Sequence, residues 1–210
     1  MYKNIIFDAD GTLFDTVDGI HEGFNELAKA FNLPLFSREQ VMPFMGPSLA
    51  HTITTKLGFK GDDVTKSLIL YRDFYWEKGY KMCSFYPGVE DLIKRLKADG
   101  KSLSIATLKP QPFIDAILKE KGYYDYFDKI VGPEMTNFTS DKTEFVLSAI
   151  TDKSAVMVGD RYTDFIAAKN NGIDSIAVTW GCGDMEEFKQ YKPTYVVDSA
   201  DEIYKIVSNK

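Results

Sequence analysis

The sequence predicts an α/β protein: a Rossmann-like parallel sheet covered by helices on both faces, with an all-helical segment inserted after the first strand. From about residue 86 onward, short apolar runs alternate with amphipathic helical patterns, which is typical of a three-layer α/β/α fold. Residues 16–82 show helical patterns with no strand between them. The apolar run at residues 5–7 must therefore join a sheet whose other strands all follow residue 100.

The first predicted elements are the strand at residues 5–7 and a helix that begins near Asp18. Four large apolar side chains recur at helical spacing in this helix: Ile20, Phe24, Leu27 and Phe31. Asp18 is placed to cap its N-terminus, and we expect Pro34 to end it because proline cannot continue a helix. This helix opens the inserted segment.

The inserted segment continues with three more predicted helices, which give it the character of a helical cap. They span residues 37–42, 48–57 and 62–79. We assign residues 16–82 to the cap, and residues 1–15 and 83–210 to an α/β catalytic core. The two connections, near residues 16–17 and 84–86, would then act as hinges.

The remainder of the chain is predicted to alternate helices with strands. The predicted helices span residues 89–98, 112–121, 143–150, 162–170, 186–191 and 200–207. The predicted strands span residues 103–106, 130–131, 155–158, 175–178 and 195–196. Strands separated by helices of this length pair in parallel, so the sheet is expected to be parallel throughout.

Composition limits the kinds of partner that the protein can have. The 210 residues include 31 acidic and 25 basic side chains, a net charge of −6, which argues against binding nucleic acid or an anionic membrane. Cys83 and Cys182 are too far apart in sequence to form a metal motif. No signal sequence and no run of about 18 apolar residues is found. We expect a cytoplasmic protein with a small-molecule partner.

Two aspartates follow the first predicted strand directly. Asp8 and Asp10 are two residues apart, where a buried strand should end and the chain should turn. One carboxylate at such a position can attack as a nucleophile while the other transfers a proton. Together they can also bind a hard divalent cation. The pair therefore predicts a catalytic site.

Other polar side chains lie at the predicted carboxyl ends of later strands. Thr107 follows the strand at 103–106, and Asp160 follows the strand at 155–158 with Asp164 four residues beyond. Lys142 opens the helix after the strand at 130–131. Ligands of open α/β sheets bind outside the carboxyl ends of the strands. These side chains should therefore meet Asp8 and Asp10 at one edge of the sheet.

These positions form four motifs in a fixed order. They are Asp8-x-Asp10-Gly11-Thr12, Thr107, Lys142 and Gly159-Asp160-x-x-x-Asp164. Their order and spacing resemble those of the haloacid dehalogenase-like hydrolases, in which one subclass carries a helical cap between the first and second motifs. Residues 85–89, 105–110 and 178–181 are similar to the phosphoglycolate phosphatase-like branch.

The resemblance implies a catalytic role for four side chains. Asp8 would attack phosphorus and form an aspartyl-phosphate, and Asp10 would protonate the leaving oxygen and later deprotonate water. Thr107 would donate its hydroxyl to a phosphoryl oxygen. Lys142 would place positive charge beside Asp8 and the transferred group.

The resemblance also implies a Mg²⁺ site. In the family pattern the ligands are the side chains of Asp8 and Asp160 and the backbone carbonyl of Asp10. A cation would also offset the repulsion among these carboxylates in a partly dry site. Asp164 lies one helical turn beyond Asp160, and it could orient a metal-bound water or merely support the first turn.

Substrate contacts are expected from both the core and the cap. Gly11 and Thr12 fit a tight loop that faces phosphate, and Leu108 follows Thr107 where a small polar residue is common in the family. Gly46, in a cap loop, and Arg72, on the last cap helix, are candidates for contact with the rest of the substrate.

Four further polar residues are expected to lie outside the chemistry. Asp15 is expected to anchor the hinge, and Lys109, before Pro110, to be a solvated helix start. His21 and His51 are expected to be packed or solvent-facing.

The predicted function is Mg²⁺-dependent hydrolysis of a small phosphorylated metabolite, with phosphoglycolate the nearest named substrate by resemblance. Sugar phosphomutases similar to the β-phosphoglucomutases share these motifs and the cap, and a nucleotidase or pyrophosphatase would use the same core. A non-enzymatic reading is a phosphoacceptor module or a pseudoenzyme that binds a phosphorylated ligand. A monomer and a homodimer are both compatible with the sequence.

Overall fold

A six-stranded parallel sheet forms the centre of the protein, in a computed structural model that describes residues 1–136 and 141–208. Its strands are β1 (Asn4–Phe7), β4 (Ser102–Ala106), β5 (Lys129–Val131), β6 (Ala155–Gly159), β7 (Asp174–Val178) and β8 (Tyr195–Val197). They lie in the order β5-β4-β1-β6-β7-β8. Two further strands, β2 (Phe14–Asp15) and β3 (Ser84–Phe85), pair with each other in antiparallel fashion. The predicted α/β fold class is confirmed.

The described chain holds ten α-helices and three short 3-10 turns. The helices are α1 (Val17–Ala30), α2 (Arg38–Val41), α3 (Leu49–Thr55), α4 (Asp62–Glu77), α5 (Val89–Ala98), α6 (Gln111–Lys121), α7 (Thr143–Ala149), α8 (Tyr162–Asn170), α9 (Met185–Tyr191) and α10 (Ala200–Ser208). The 3-10 turns are Met42–Phe44, Gly79–Lys81 and Tyr124–Tyr126. Across residues 1–136 and 141–208, no helix combines the length and apolar character needed to cross a bilayer.

Strand β1 lies inside the sheet, between β4 and β6, and its side chains are buried on both faces. Ile5 and Phe7 belong to one apolar cluster, whereas Ile6 belongs to another on the opposite face. The strand pairs in parallel with β4 on one side and β6 on the other, so that Phe7 lies beside Ile105 and Val158. The residues that follow these three strands therefore emerge at the same edge of the sheet.

Helices α1–α4 lie between β2 and β3 in the chain and share an apolar cluster that also includes Phe113 of α6. Within it the rings of Phe24 and Tyr71 are 5.3 Å apart. The β2–β3 pair joins the two connections to the rest of the chain through Phe14 and Phe85. This packing supports the division into a cap of residues 16–82 and a core of residues 1–15 and 83–210, which stays a prediction.

The predicted ends of the first cap helix are wrong in detail. Asp18 does not cap α1: the backbone N–H of Val17 donates to the Asp15 carboxylate at 3.1 Å, and Asp18 instead forms an ion pair with Arg38 at 2.6 Å. The helix ends at Ala30, well before Pro34.

The helix ends early because Asn32 adopts a left-handed conformation, with φ of 54°. The N–H of Leu33 then donates to the carbonyl of Ala28 at 2.8 Å, as at many helix C-termini. Local hydrogen bonding therefore ends the helix before the proline is reached.

Helix α1 packs closely against the turn that leads out of the cap. A Cβ atom added at Gly19 would overlap the backbone carbonyl of Gly79. Backbone cannot move aside as a flexible side chain can, so this approach of helix and turn requires glycine.

Substitution Gly19→Ala should therefore lower the free energy of unfolding by about 1–3 kcal/mol, the usual cost of overpacking. Urea unfolding followed by circular dichroism measures this change. The control is Lys29→Ala, at an exposed position near the end of the same helix. Equal stability of the Gly19 variant and the wild type would contradict the close approach.

Candidate active site

Asp8 begins the turn that follows β1, and its side chain is buried at the floor of a cavity. Its N–H donates to the carbonyl of Val158 at 2.9 Å, which continues the β1–β6 ladder and fixes the position of the carboxylate. The chain then turns through Gly11, whose φ is 81°. A Cβ atom at Gly11 would overlap the Asp160 carboxylate, so glycine lets this turn approach Asp160.

Lys142 joins two of the predicted site aspartates. Its Nζ lies 2.8 Å from Asp8 Oδ1 and 2.5 Å from Asp164 Oδ1, and its side chain is 2% exposed. Burial works to lower the pKa of Lys142, but the charges of Asp164 and Asp8 raise it above the usual range for lysine. The ammonium therefore stays charged beside Asp8.

Three buried carboxylates, those of Asp8, Asp160 and Asp164, lie together at this edge of the sheet. Each offers an oxygen within 4.8 Å of the others. Burial raises the pKa of Asp160 to about 8, and the charges of Asp8 and Asp164 add to the effect. Burial also raises the pKa of Asp8 to about 6, although Lys142 opposes this. Crowded carboxylate oxygens of this kind fit a hard divalent cation, which would relieve their repulsion.

The hydrogen bonds of Asp160 and Asp164 differ. Asp164 accepts from Lys142 through one oxygen and from the N–H of Arg161 through the other, at 3.0 Å. Asp160 accepts from the N–H of Cys182 at 2.7 Å and from the hydroxyl of Thr12 at 3.4 Å. Both oxygens are engaged in each of these carboxylates, and it is the contact with Lys142 that suits Asp164 to the orientation of that ammonium.

Thr107 follows β4 and lies at the same edge of the sheet, 1% exposed. Its N–H donates to Val131, and its hydroxyl oxygen accepts from the N–H of Lys109 at 3.1 Å. The hydroxyl proton of Thr107 is thereby left available for an acceptor in the cavity, which Thr107 lines together with Asp8 and Lys142.

The prediction that Lys109 is a solvated helix start is wrong. Its side chain is 5% exposed, and its Nζ lies 2.8 Å from Asp10 Oδ2 and 2.9 Å from the hydroxyl of Tyr75. Burial works to lower the pKa of Lys109, but Asp10 and Tyr75 raise it above its usual range. The hydrogen bond from the Lys109 N–H to the Thr107 hydroxyl directs Lys109 toward the site before α6 begins at Gln111. One signal existed in the sequence: Lys109 stands three residues past the end of β4, the strand that pairs with β1 and so ends beside the turn of Asp10.

A cavity of about 120 Å³ lies between the core and the helices of the cap. Seven of the predicted site residues line it: Asp8, Asp10, Gly46, Arg72, Thr107, Leu108 and Lys142. The structure places Gly11 and Thr12 against Asp160 rather than along this lining, and Asp164 lies behind Lys142. The cap side of the cavity includes four aromatic side chains, those of Phe24, Phe44, Tyr71 and Tyr75.

The cap loop that contains Gly46 is anchored to the core by Arg161. The guanidinium of Arg161 donates to the backbone carbonyl of Met45, and its Nε lies 3.3 Å from Glu187. Gly46 has a φ of 100°, and a Cβ atom there would press on Arg161. The sequence did not point to Arg161, because its partner is a backbone carbonyl in a distant loop.

The remaining candidates lie away from the cavity lining. His21 packs inside the cap, with Nε2 2.8 Å from the carbonyl of Phe36, and His51 is exposed on α3. Asp15 lies on β2, 3.6 Å from Arg38.

The fold and the site together define an α/β enzyme in which carboxylates, a lysine and a threonine meet at the carboxyl edge of a parallel sheet. A model of the haloacid dehalogenase-like hydrolases matches residues 5–178, and the chain belongs to this family.

Similar proteins include enzymes that act on phosphorylated compounds. A phosphoglycolate phosphatase of Vibrio parahaemolyticus is 29% identical over 224 residues, which cover 98% of this chain and 96% of that protein. A pyrophosphatase of Bacillus velezensis is also 29% identical, with coverage of 98% and 96%. The crystal structure of a predicted phosphatase from Clostridium acetobutylicum superposes with a TM-score of 0.93 at 33% identity over 100% of both chains. The predicted enzyme class, a phosphatase of this family, is confirmed.

The raised pKa of Asp160 has a consequence for stability when no cation is bound. This pKa rises from 3.8 to about 8 on folding, so between about pH 4 and pH 8 the folded state keeps a proton that the unfolded chain has released. The folded state then binds more protons than the unfolded state, and the free energy of unfolding falls as the pH rises through this window.

Asp160→Asn removes the titrating group, so it should remove this fall in the free energy of unfolding with rising pH. In chelator, the melting temperature of the variant relative to the wild type should rise between about pH 5 and about pH 8, by at least about 2 °C or roughly 1 kcal/mol. Differential scanning calorimetry measures the difference. Added Mg²⁺ should stabilise the wild type more than the variant. If the melting temperatures of the two proteins differed by the same amount at all pH values, the crowding of negative charge around Asp160 would be refuted.

Proposed function

We propose that the protein is a Mg²⁺-dependent phosphomonoester hydrolase that forms an aspartyl-phosphate on Asp8 and acts on a small phosphorylated metabolite. The observation that carries this proposal is the position of Asp8, which lies on the cavity floor with Lys142 at 2.8 Å. A buried carboxylate beside a fixed ammonium can attack phosphorus while the ammonium offsets the negative charge of the phosphoryl group.

In the first step, an oxygen of Asp8 bonds to phosphorus as the bond from phosphorus to the leaving oxygen breaks. The electron pair of that bond goes to the leaving oxygen, which takes a proton from Asp10 and departs as an alcohol. Lys142 and the hydroxyl of Thr107 stabilise the negative charge on the phosphoryl oxygens. The products are an alcohol, an aspartyl-phosphate and an ionised Asp10.

In the second step, water attacks phosphorus and gives a proton to Asp10. The bond between phosphorus and Asp8 breaks, and its electron pair returns to the carboxylate. Inorganic phosphate leaves, and both aspartates regain their starting forms. Because the cap helices cover this site, they exclude bulk water from the intermediate until the leaving alcohol has gone.

The side chains of Asp8 and Asp160 and the backbone carbonyl of Asp10 would bind Mg²⁺. When bound, the ion supplies positive charge to the phosphoryl group and the acidic cluster. Asp164 would serve the same site indirectly, since it holds the ammonium of Lys142 at 2.5 Å.

The cavity supports a small, anionic substrate. Its volume of about 120 Å³ suits a small phosphorylated molecule. Arg72 lines the cap side, where a guanidinium suits a carboxylate or a second phosphoryl group. The relatives from Vibrio parahaemolyticus and Bacillus velezensis are named for phosphoglycolate and pyrophosphate, and both compounds are small and anionic. A cytoplasmic location and a monomeric or dimeric state belong to the same proposal.

Substitution Asp8→Asn should abolish hydrolysis, because an amide cannot act as the nucleophile. The loss in kcat should exceed about 1,000-fold for every phosphomonoester, with folding unchanged. Release of inorganic phosphate is measured with Mg²⁺ and with chelator, using p-nitrophenyl phosphate first. The control is Asp125→Asn, an exposed aspartate in the turn Tyr124–Tyr126.

The same assay separates the other functions considered for this site. A panel of phosphoglycolate, pyrophosphate, sugar phosphates and nucleoside monophosphates, ranked by kcat/KM, identifies the substrate class. Isomerisation of a sugar phosphate without phosphate release would indicate a mutase. The absence of turnover in folded, Mg²⁺-loaded protein would indicate a phospholigand-binding protein and overturn the proposal.

A further inference from the structure

Lys109 connects the core carboxylate Asp10 to the cap. Its Nζ lies 2.8 Å from Asp10 Oδ2 and 2.9 Å from the hydroxyl of Tyr75, and 4.7 Å from the centroid of the same ring. Asp10 belongs to the turn after β1, whereas Tyr75 lies on α4. The three groups thus form a chain of contacts from the core to the cap.

The two oxygens of Asp10 have different surroundings. Oδ2 accepts from Lys109, while Oδ1 is buried and accepts no hydrogen bond from any part of the chain that the structure describes. Asp10 also lines the cavity. A carboxylate held through one oxygen has its rotation restricted, so Lys109 fixes the orientation of the group that exchanges a proton with the leaving oxygen and with water.

The position of Lys109 depends in turn on the cap. Tyr75 is held by its neighbours: the ring of Tyr71 stacks on it at 5.8 Å, and the ring of Phe113 meets it edge-on at 5.0 Å. A buried ammonium needs partners for its charge, and Tyr75 supplies both a hydroxyl acceptor and a ring face. The contact with Tyr71 lies within α4, whereas the contacts with Lys109 and Phe113 join α4 to the core and require α4 to lie over it.

We propose that Lys109 is the positioning residue for Asp10 and that Tyr75 couples this positioning to closure of the cap. The inference rests on the proposed hydrolase function, and it adds two residues to that site. Asp10 is correctly aimed at the leaving oxygen only when the cap covers the cavity. Transfer of the proton is thereby confined to the closed, water-excluding arrangement.

The test compares two kinds of leaving group. Departure of p-nitrophenolate needs little help from a proton, whereas an alkoxide leaving group must be protonated as it departs. The probes are p-nitrophenyl phosphate and whichever alkyl phosphate from the substrate panel has the highest kcat/KM. A change in the orientation of Asp10 should slow hydrolysis of the alkyl phosphate far more than that of p-nitrophenyl phosphate. A general loss of structure would slow both.

Lys109→Met should lower kcat for the alkyl phosphate by about 100-fold or more, with a loss below about 5-fold for p-nitrophenyl phosphate and little change in either KM. Lys109→Arg keeps a charged donor and should recover part of the loss. Tyr75→Phe keeps the ring and its packing, and it should show the same substrate dependence at about 10-fold. The controls are Lys119→Met and Tyr126→Phe, which change residues outside the cavity lining.

An equal loss of kcat on both substrates, or an effect confined to KM, would overturn the inference. If the Lys109→Met protein does not fold, Tyr75→Phe alone decides, and wild-type kcat on the alkyl phosphate would then refute the coupling. Failure of the proposed function looks different: either the wild type would turn over neither substrate, or Asp8→Asn would retain hydrolysis of p-nitrophenyl phosphate.

Discussion

The crowding of buried negative charge at the carboxyl edge of the sheet is the constraint on which the rest of the site depends. Asp8, Asp160 and Asp164 bring oxygens within 4.8 Å of one another. Such a cluster is costly in a protein interior unless positive charge is supplied. Lys142 supplies part of it by contacting Asp8 and Asp164. The same crowding favours binding of a divalent cation. The carboxylates that destabilise the fold by their mutual repulsion are therefore also those that suit the site to phosphoryl transfer.

The cap meets this charged edge on two sides. On one side Arg161 donates to the carbonyl of Met45, which holds the loop of Gly46 against the core. On the other, Lys109 contacts Tyr75 of α4. Between these contacts lies the cavity, so movement of the cap changes the walls of the cavity and the surroundings of Asp10 together. Chemistry and substrate access are linked through a few polar contacts rather than through the apolar packing alone.

The meeting of the site residues at one edge of the sheet could be predicted from sequence, because the parallel pairing of the strands fixes it. Once β1, β4 and β6 are adjacent, Asp8, Thr107 and Asp160 must emerge at one edge. The contact of Lys109 with Tyr75 could not be predicted, since it depends on how the cap docks and has no periodic signal. The end of α1 depends on the backbone conformation of one residue, Asn32, which propensity alone does not specify.

The proposed mechanism requires that Asp8 becomes covalently phosphorylated. The most direct measurement is rapid acid quenching of the enzyme during turnover, followed by borohydride reduction and peptide mass spectrometry. Reduction of an aspartyl-phosphate yields homoserine, so we expect homoserine at position 8 in the substrate-treated protein and none in the Asp8→Asn variant. Turnover without modification at Asp8, or with the modification at another aspartate, would contradict it.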